Sequence, residues 1–235
     1  MENLYNVNGL IFWSEEEIRL REMLKNHFVA AVSNNLKTQN RGFEIIQVEA
    51  PLLTPHEFIN SNYSGRDTFG LDEENEMATH CQFVLRPETT MGTYKAIEHL
   101  LSNYNERKVK LPACVWQHGK SFRREQDQPT KFMRLKEFYQ LEFQIAYSPT
   151  TANDYSISLI PAVQQAISEM IGPCHVEASD RLPDYSEITV DIICDKTKME
   201  VCSISKRKDF PLAKILEVAI GTDRCVFNFL NKGQQ

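Results

Sequence analysis

Two polar runs in the middle of the chain contain residues that together suit a bound nucleotide. Residues 119–125 read Gly-Lys-Ser-Phe-Arg-Arg-Glu, and residues 133–142 read Met-Arg-Leu-Lys-Glu-Phe-Tyr-Gln-Leu-Glu. If the runs form consecutive strands, the side chains that lie near one another on one sheet surface are Arg123, Glu125, Arg134 and Phe138. An arginine neutralises a phosphate, a carboxylate accepts from the adenine amino group, and an aromatic ring stacks on the base. A strand hairpin with a solvated charged face fits the same residues, so both interpretations stay open at this point.

Charge and composition restrict the classes of partner. The chain has 235 residues and a net charge of −6, without the basic excess of a protein that binds nucleic acid mainly through phosphates. Any RNA contact would therefore need a local basic patch. The N-terminus has no basic stretch before an apolar run, and no uninterrupted apolar run approaches about 18 residues. We therefore predict neither a secretory signal nor a membrane span.

The cysteines indicate a reducing compartment. They are scattered without a CxxC pair, at positions 81, 114, 174, 194, 202 and 225, which is typical of buried reduced thiols in a cytosolic protein. His80–Cys81 and Cys174–His175 could be halves of a zinc site. The spacing within each pair fits no known zinc module, so we favour the buried thiols.

Helix and strand signals surround the two polar runs. Ser14 followed by Glu17 is a capping-box pattern that predicts a helix with an apolar face formed by Ile18, Met23, Leu24, Phe28 and Val32. The residues from Phe43 to Val48 predict a strand that stops before Pro51.

The remaining pattern predicts one α+β domain with an antiparallel sheet, because a strand-rich middle is flanked by helices without repeats or linkers. The further helices are predicted at 88–104, 153–171 (where Pro161 would bend or split the helix) and 222–230. The further strands are predicted at 113–122, 132–147, 188–194 and 199–204.

Three segments resemble the signature motifs of class II aminoacyl-tRNA synthetases. Residues 122–125, Phe-Arg-Arg-Glu, and 134–138, Arg-Leu-Lys-Glu-Phe, are similar to motif 2. Residues 217–224, Glu-Val-Ala-Ile-Gly-Thr-Asp-Arg, are similar to motif 3, in which a glycine-rich turn precedes an arginine that meets the ATP γ-phosphate. Pro51 after a strand is similar to motif 1, the dimer-forming element. Any one of these would be a weak signal, but they occur together and in order.

Within class II the sequence most resembles the glycyl-tRNA synthetases. Residues 85–89, Leu-Arg-Pro-Glu-Thr, residues 110–112, Lys-Leu-Pro, and the approach to motif 2 at 117–125 match segments of that family. Residues 191–210 follow a further family segment. The resemblance implies a class II synthetase-type antiparallel sheet flanked by helices. It implies a single catalytic domain over residues 1–235, without a C-terminal anticodon-binding domain.

The resemblance also implies roles for individual residues. Arg123 and Arg224 would be the catalytic pair that binds the ATP phosphates, and Glu200 and Glu217 would lie at the Mg²⁺ ion. The residues implied to bind ATP are Arg123, Arg124, Glu125, Arg134, Leu135, Phe138, Glu200, Val201, Glu217 and Arg224. The residues implied to bind the amino acid are Glu88, Glu142, Ser203, Glu217 and Ala219.

Several positions depart from the family pattern. The family's Arg-Pro-Glu-Thr-Ala-Gln-Gly reads Arg-Pro-Glu-Thr-Thr-Met-Gly at 86–92. Its Gly-Ile-Ala reads Ser-Ile-Ser at 203–205, and its Glu-Pro-Ser reads Glu-Val-Ala at 217–219. An asparagine of motif 2 is replaced by Arg124. The resemblance thus leaves the ATP residues in place but alters the amino-acid pocket and the tRNA apparatus.

The implied reaction is formation of an aminoacyl-adenylate from ATP and an amino acid, with glycine the leading candidate. A minimal synthetase would then charge a tRNA through its acceptor end. An activating enzyme with a protein or small-molecule acceptor is an alternative. A non-catalytic relative used for binding, like the accessory subunit of mitochondrial DNA polymerase, is another. We expect a cytoplasmic homodimer paired through the first helix and the strand that ends at Pro51.

Overall fold

The computed structural model describes residues 5–59, 63, 67–71, 83–102, 109–124, 133–180 and 182–233. The helices are α1 (Glu15–Gln39), α2 (Thr90–Leu101), α3 (Ser156–Ile171) and α4 (Thr222–Leu230). The strands are β1 (Tyr5–Val7), β2 (Leu10–Phe12), β3 (Glu44–Gln47), β4 (Leu53–Pro55), β5 (Phe69–Leu71), β6 (Phe83–Leu85), β7 (Ala113–Phe122), β8 (Glu137–Tyr147), β9 (Cys174–Ala178), β10 (Ser186–Cys194), β11 (Glu200–Arg207) and β12 (Lys214–Gly221). A short 3-10 helix spans His56–Phe58.

A seven-stranded sheet with the order β3-β7-β8-β12-β11-β10-β9 forms the centre of the fold. β3 and β7 are parallel, and the other neighbouring pairs are antiparallel. Two small sheets accompany it, the hairpin β1-β2 and the three-stranded β4-β6-β5. This arrangement confirms the predicted α+β class.

One face of the main sheet is apolar and is covered by α1, α3 and α4. Alternate residues of β8, Leu141, Phe143 and Ile145, are fully buried in the same cluster as Phe28 of α1 and Leu159 of α3. Because side chains alternate across a strand, the neighbours of these residues on β8 point to the opposite face.

The opposite face carries polar side chains, and α2 covers only one end of it. Tyr94 and Ile97 of α2 pack there against Val115, Ala146 and Ile215. The strand registers align one transverse row of side chains across the uncovered part of this face, which runs Gln117, Glu142, Ala219, Ser203, Asp191, Glu177. This row forms the floor of the site described below.

Several predicted elements are confirmed. The capping box opens α1, where the Ser14 hydroxyl accepts from the Glu17 amide at 3.3 Å and the Glu17 carboxylate accepts from the Ser14 amide at 2.6 Å. The strand at 113–122 and the helix at 222–230 have the predicted bounds. The predicted hairpin corresponds to β10 and β11.

Other predictions need correction. The buried face of α1 consists of Glu17, Arg21, Leu24, Phe28, Val32 and Leu36, whereas Ile18 and Met23 are exposed. The strand predicted from residue 132 begins at Glu137 in the described residues, and the helix predicted from residue 153 begins at Ser156 and continues through Pro161. β9 and β12 were not predicted as strands.

The described cysteines, at positions 114, 174, 194, 202 and 225, are buried and carry free thiols, as predicted. His80 and Cys81 lie outside the described residues, and His175 pairs with Asp195. Within the described ranges no group of His, Cys, Asp and Glu side chains is arranged to hold a metal ion. No helix in the described part is both long and apolar enough to cross a membrane.

Candidate active site

A cleft of about 520 Å³ lies on the polar face of the main sheet, between β8, β12, β11 and β10. It brings together the predicted site residues Glu88, Arg123, Arg134, Leu135, Phe138, Glu142, Glu200, Val201, Ser203, Glu217, Ala219 and Arg224. These residues come from segments far apart in sequence, and the sheet register collects them. Arg124 is exposed and does not line the cleft, so its expected role in ATP binding is corrected. Glu125 lies outside the described residues.

One end of the cleft presents an arginine against aromatic rings. The guanidinium carbon of Arg123 lies 5.3 Å from the centroid of the Phe138 ring and 5.4 Å from that of Tyr63. Its Nε donates to the Pro87 carbonyl at 3.0 Å, which fixes the side chain over the cleft. Phe138 is half-buried and offers a ring face of the kind on which a base stacks.

The second predicted arginine stands at the start of α4. Arg224 donates from Nη1 to the Glu200 carbonyl at 2.7 Å and lies 3.9 Å from a Glu200 carboxylate oxygen. The first turn of α4 adds its own partial positive charge beside this arginine. A phosphate chain between Arg123 and Arg224 would therefore meet positive charge at both ends.

A cluster of buried carboxylates lies close to Arg123 in the same cleft, because Tyr63 contacts both Arg123 and Glu88. Glu88 and Glu142 are 8% and 1% exposed, respectively, and both line the cleft. Glu142 accepts from the Thr89 hydroxyl and from the Gln144 amide, each at 2.7 Å. Glu88 accepts from the Tyr63 hydroxyl at 3.1 Å through one oxygen, while its other oxygen is buried without a hydrogen-bond partner among the described residues.

Burial and mutual repulsion make these carboxyl groups weaker acids. Burial, with the nearby charges of Glu217 and Glu88, raises the pKa of Glu142 to about 8. Burial also raises the pKa of Glu88, against the opposing charge of Arg207. A positively charged ligand would favour the ionised form of both groups.

Glu217, unlike its neighbours, is neutralised by the protein itself. It forms an ion pair of 3.0 Å with Arg207 and accepts from Gln144 at 2.6 Å and from Thr90 at 3.1 Å. Arg207 is held in turn by Asp209 at 2.6 Å and stacks on Tyr185 at 3.8 Å. Glu217 thus already has a cationic partner in the protein and forms part of the wall of the site.

A buried arginine and two close backbone approaches hold the segment that carries Glu88. Arg86 donates to the carbonyls of Ala50 at 2.7 Å and Lys120 at 2.8 Å. A Cβ at Gly119 would lie 2.3 Å from Nη2 of Arg86, and one at Gly92 would lie 2.4 Å from Cβ of Ala50. These glycines are required because any side chain there would displace the support of the site.

The predicted pairing of Glu200 with Glu217 on one Mg²⁺ ion is corrected by the strand register. Glu217 is opposite Ser205, so Glu200 lies five residues away along β11, about 16 Å in an extended strand. Side chains from such positions cannot both bind one ion at about 2.1 Å. The carboxylate of Glu200, half-exposed beside Arg224, fits a Mg²⁺ ion at the phosphates, whereas that of Glu217 does not.

Sequence reasoning missed several residues of the site. Thr90, Gln144 and Arg207 complete the carboxylate cluster, and Asp191 lies on the cleft floor. Strand alternation gave a usable signal for Gln144, two residues after Glu142 on β8. Arg207 carried no such signal, because its partner Glu217 is on another strand.

Comparison with known proteins agrees with this geometry. No family model matches the chain. A glycine–tRNA ligase of Mycolicibacterium paratuberculosis is 30% identical over 139 residues, which cover 55% of this chain and 29% of that protein. A glycine–tRNA ligase of Mycoplasma genitalium is 29% identical over 136 residues, which cover 54% of this chain and 30% of that protein. The chain thus matches less than a third of the length of these relatives.

A solved structure has the same fold over nearly the whole chain. The prolyl-tRNA synthetase of Cryptosporidium parvum, crystallised with halofuginone and AMPPNP, superposes with a TM-score of 0.69 at 12% sequence identity. The superposition covers 96% of this chain and 48% of that one. At this identity the likeness concerns the fold alone. Together with the glycine–tRNA ligase similarity, it shows that the chain carries a class II synthetase-like core.

Proposed function

We propose that the cleft binds ATP and a small amino acid, joins them as an aminoacyl-adenylate, and passes the aminoacyl group to the acceptor end of a tRNA. Glycine is the leading amino acid, since the relatives found by sequence are named glycine–tRNA ligases. The proposal treats the chain as a cytoplasmic protein that works as a homodimer.

The observation that carries this proposal is the unpaired carboxylate oxygen of Glu88. It is buried beside Glu142 in the cleft that also holds Arg123 and Arg224. A buried acceptor without a donor costs about 1–3 kcal/mol, and an α-ammonium group supplies the donor. The same cleft thus offers acceptors for an amino group and cations for phosphates.

The chemistry requires alignment rather than a protein nucleophile. The amino-acid carboxylate attacks the α-phosphorus, a new P–O bond forms, and the bond to the β-phosphate oxygen breaks as pyrophosphate leaves. Arg123 and Arg224 stabilise the negative charge that builds on the phosphate oxygens. Glu88 and Glu142 hold the ammonium group so that the carboxylate faces the nucleotide. A Mg²⁺ ion bound at Glu200 would neutralise phosphate charge.

The amino acid is proposed to be small because the relatives found by sequence are glycine–tRNA ligases, and Ser203 and Ala219 form the floor beside Glu142. Carboxylates recognise the ammonium group that all amino acids share, so the walls of the pocket decide which amino acid is selected. ATP–pyrophosphate exchange with a panel of amino acids tests this proposal. Glycine, alanine or serine should support the fastest exchange, and exchange with only large or charged amino acids would contradict the small-substrate assignment.

The acceptor is tested separately. If exchange occurs, incubation with radioactive amino acid and total tRNA should give acid-precipitable aminoacyl-tRNA. Exchange without charging would favour another acceptor. Absence of exchange with every amino acid, despite measurable ATP binding, would favour a binding role.

A further inference from the structure

The floor of the cleft contains a second acidic position, well away from Glu88 and Glu142. Asp191 is 8% exposed, lies on the cleft face of β10, and lines the cleft. Its carboxylate makes no side-chain hydrogen bond or ion pair with the residues that the structure describes. Its oxygens are not among the fully buried side-chain atoms without a hydrogen bond, so they are open to the cleft, where a ligand can contact them.

The neighbours of Asp191 in the sheet are also polar or acidic. In the transverse row of the sheet, Asp191 is directly opposite Glu177 of β9 on one side and Ser203 of β11 on the other. Like charges opposite each other on adjacent strands are destabilising. Glu177 has a partner in His175, at 3.5 Å, whereas Asp191 has none among the described residues. Asp191 is therefore an acceptor without a cationic partner among the described residues.

Ser203 places a hydroxyl in the same row. It pairs with Ala219 of β12 on one side and with Asp191 of β10 on the other. A hydroxyl is thus absent at the strand next to Glu142 and present one strand further along, beside Asp191.

The distance between the two acidic positions sets the size of what could bridge them. Glu142 and Asp191 are three strands apart in the row, so their α-carbons are separated by roughly 14 Å. Both side chains stand roughly perpendicular to the sheet, so only two hydrogen bonds of about 2.8 Å are subtracted, which leaves about 8 Å between two bound nitrogens. A carbon chain of modest length, or a separate small molecule beside the bound amino acid, fits this gap.

We propose that Asp191, with Ser203 and Glu177, forms a subsite for a primary ammonium group, distinct from the α-ammonium site at Glu88 and Glu142. An ammonium group is a compact cation with three donors. Acceptors from three adjacent strands match those donors. That this subsite is additional to an α-ammonium site rests on the proposed function.

The ammonium group has two possible sources. In the first, it is the side chain of a diamino acid that is itself activated, an outcome that would replace the small amino acid of the proposed function. In the second, it belongs to an amine that accepts the aminoacyl group. The amine then gives one proton to Asp191 and attacks the acyl carbonyl, so that a C–N bond forms. The bond from the carbonyl carbon to the adenylate oxygen breaks, AMP leaves with the electron pair, and the second proton passes to solvent.

The first experimental arm compares charged and neutral side chains of similar length in ATP–pyrophosphate exchange. For a side-chain source, wild-type protein should prefer ornithine to norvaline in kcat/KM. Asp191→Asn should lower this ratio by about tenfold or more, the usual value of a charged hydrogen bond. Asp184→Asn removes the same charge at an exposed position outside the cleft and should leave the ratio unchanged.

The second arm supplies glycine and ATP with n-propylamine or with n-propanol and measures AMP release and the glycyl product. For an acceptor source, the amine should accelerate AMP release and form an amide, and Asp191→Asn should weaken this effect about tenfold. Ser203→Ala provides a second variant if Asp191→Asn lowers the melting temperature. Its effect should have the same direction.

Calorimetric titration of ornithine against norvaline, and of n-propylamine against n-propanol, tests the subsite independently of catalysis. Equal binding of charged and neutral ligands, or binding that Asp191→Asn and Ser203→Ala leave unchanged, would overturn the subsite. Glycine-dependent exchange could still succeed in that case. Conversely, failure of exchange with all amino acids would overturn the proposed function, while Asp191-dependent ammonium binding would still support the subsite.

Discussion

At the scale of single residues, the carboxylates of the cleft differ in what neutralises them. Glu217 has Arg207 as a permanent counter-ion at 3.0 Å. Glu88 and Glu142 lie in the same buried space, and their hydrogen-bond donors are neutral hydroxyl and amide groups. A cationic ligand gains most from a carboxylate that has no cationic hydrogen-bond partner, so this pair is the part suited to bind an amino group.

The arginines provide the first test. We expect Arg123→Ala and Arg224→Ala each to reduce ATP–pyrophosphate exchange by about a hundredfold, because a charge-assisted contact made in the transition state contributes on the order of 3 kcal/mol. Arg124→Ala is the matched control, since that side chain is exposed and outside the cleft. Wild-type exchange in either cleft variant, with an intact melting curve, would show that the arginine is not part of the active site.

The raised pKa of Glu142 predicts a pH dependence. The carboxylate must be ionised to hold an ammonium group, and its pKa is about 8 because of burial and of the neighbouring Glu217 and Glu88. In exchange assays, kcat/KM for the amino acid should therefore rise with pH up to about 8 and then level off. Glu142→Gln should lower kcat/KM and remove this rise, while the KM for ATP changes little.

The same group gives a stability readout. A carboxyl group whose pKa is raised from 4.5 to about 8 binds its proton more tightly in the folded state. Its contribution to stability is therefore greatest at low pH and is lost as the pH rises through 8. The melting temperature of Glu142→Gln minus that of the wild type should increase as the pH rises from 5 to 8. A constant difference would contradict the assigned pKa.

At the scale of elements, the start of α2 organises the acidic end of the cleft. Thr89 donates to Glu142, and Thr90 donates to Glu217. The positive end of the helix dipole lies toward these carboxylates and offsets part of their repulsion. α2 must therefore approach the strand segments closely, and it does so through Gly92, which contacts Ala50.

This approach predicts an unusual effect of a helix substitution. Replacing glycine by alanine inside a helix normally stabilises it by about 1 kcal/mol. Gly92→Ala should instead destabilise the fold by about 1–3 kcal/mol, because the new Cβ would lie 2.4 Å from Cβ of Ala50. Urea denaturation measures the change. The double variant Gly92→Ala, Ala50→Gly should recover most of the loss, and no recovery would exclude this contact as the cause.

At the scale of the whole molecule, the two faces of the main sheet have different roles: one forms the core and the other forms the cleft. The helices α1, α3 and α4 bury the apolar face and form the main core. The other face is left partly open as the cleft. On the outside, exposed apolar side chains of α1 and of the segment after β3 include Ile18, Met23, Leu52 and Leu53.

These side chains support the proposed homodimer. Sedimentation at micromolar concentration should give twice the chain mass of 27.2 kDa. Met23→Glu should shift the equilibrium toward monomer, because a charge buried at an apolar interface is costly. Lys37→Glu, near the other end of α1, serves as the control. A wild-type protein that sediments as a monomer would contradict the proposed assembly.

The sequence by itself determined several local elements and, through the family resemblance, named most of the residues that line the cleft. The capping box at Ser14, the strand at 113–122 and the helix at 222–230 follow from short-range hydrogen bonding and side-chain periodicity. Both depend only on residues that are close together in the sequence. Residue types indicated the chemistry, since arginines beside an aromatic residue suit phosphates and a base.

Only the tertiary structure decided which residues act together. Sequence spacing did not show that Glu217 is neutralised by Arg207, that Glu200 and Glu217 are too far apart to share an ion, or that Asp191 lies in the row of Glu142. Each of these depends on the register between strands that are distant in the chain. Register is set by the packing of the whole apolar face against the helices, because a shift of one residue would turn every side chain to the other side.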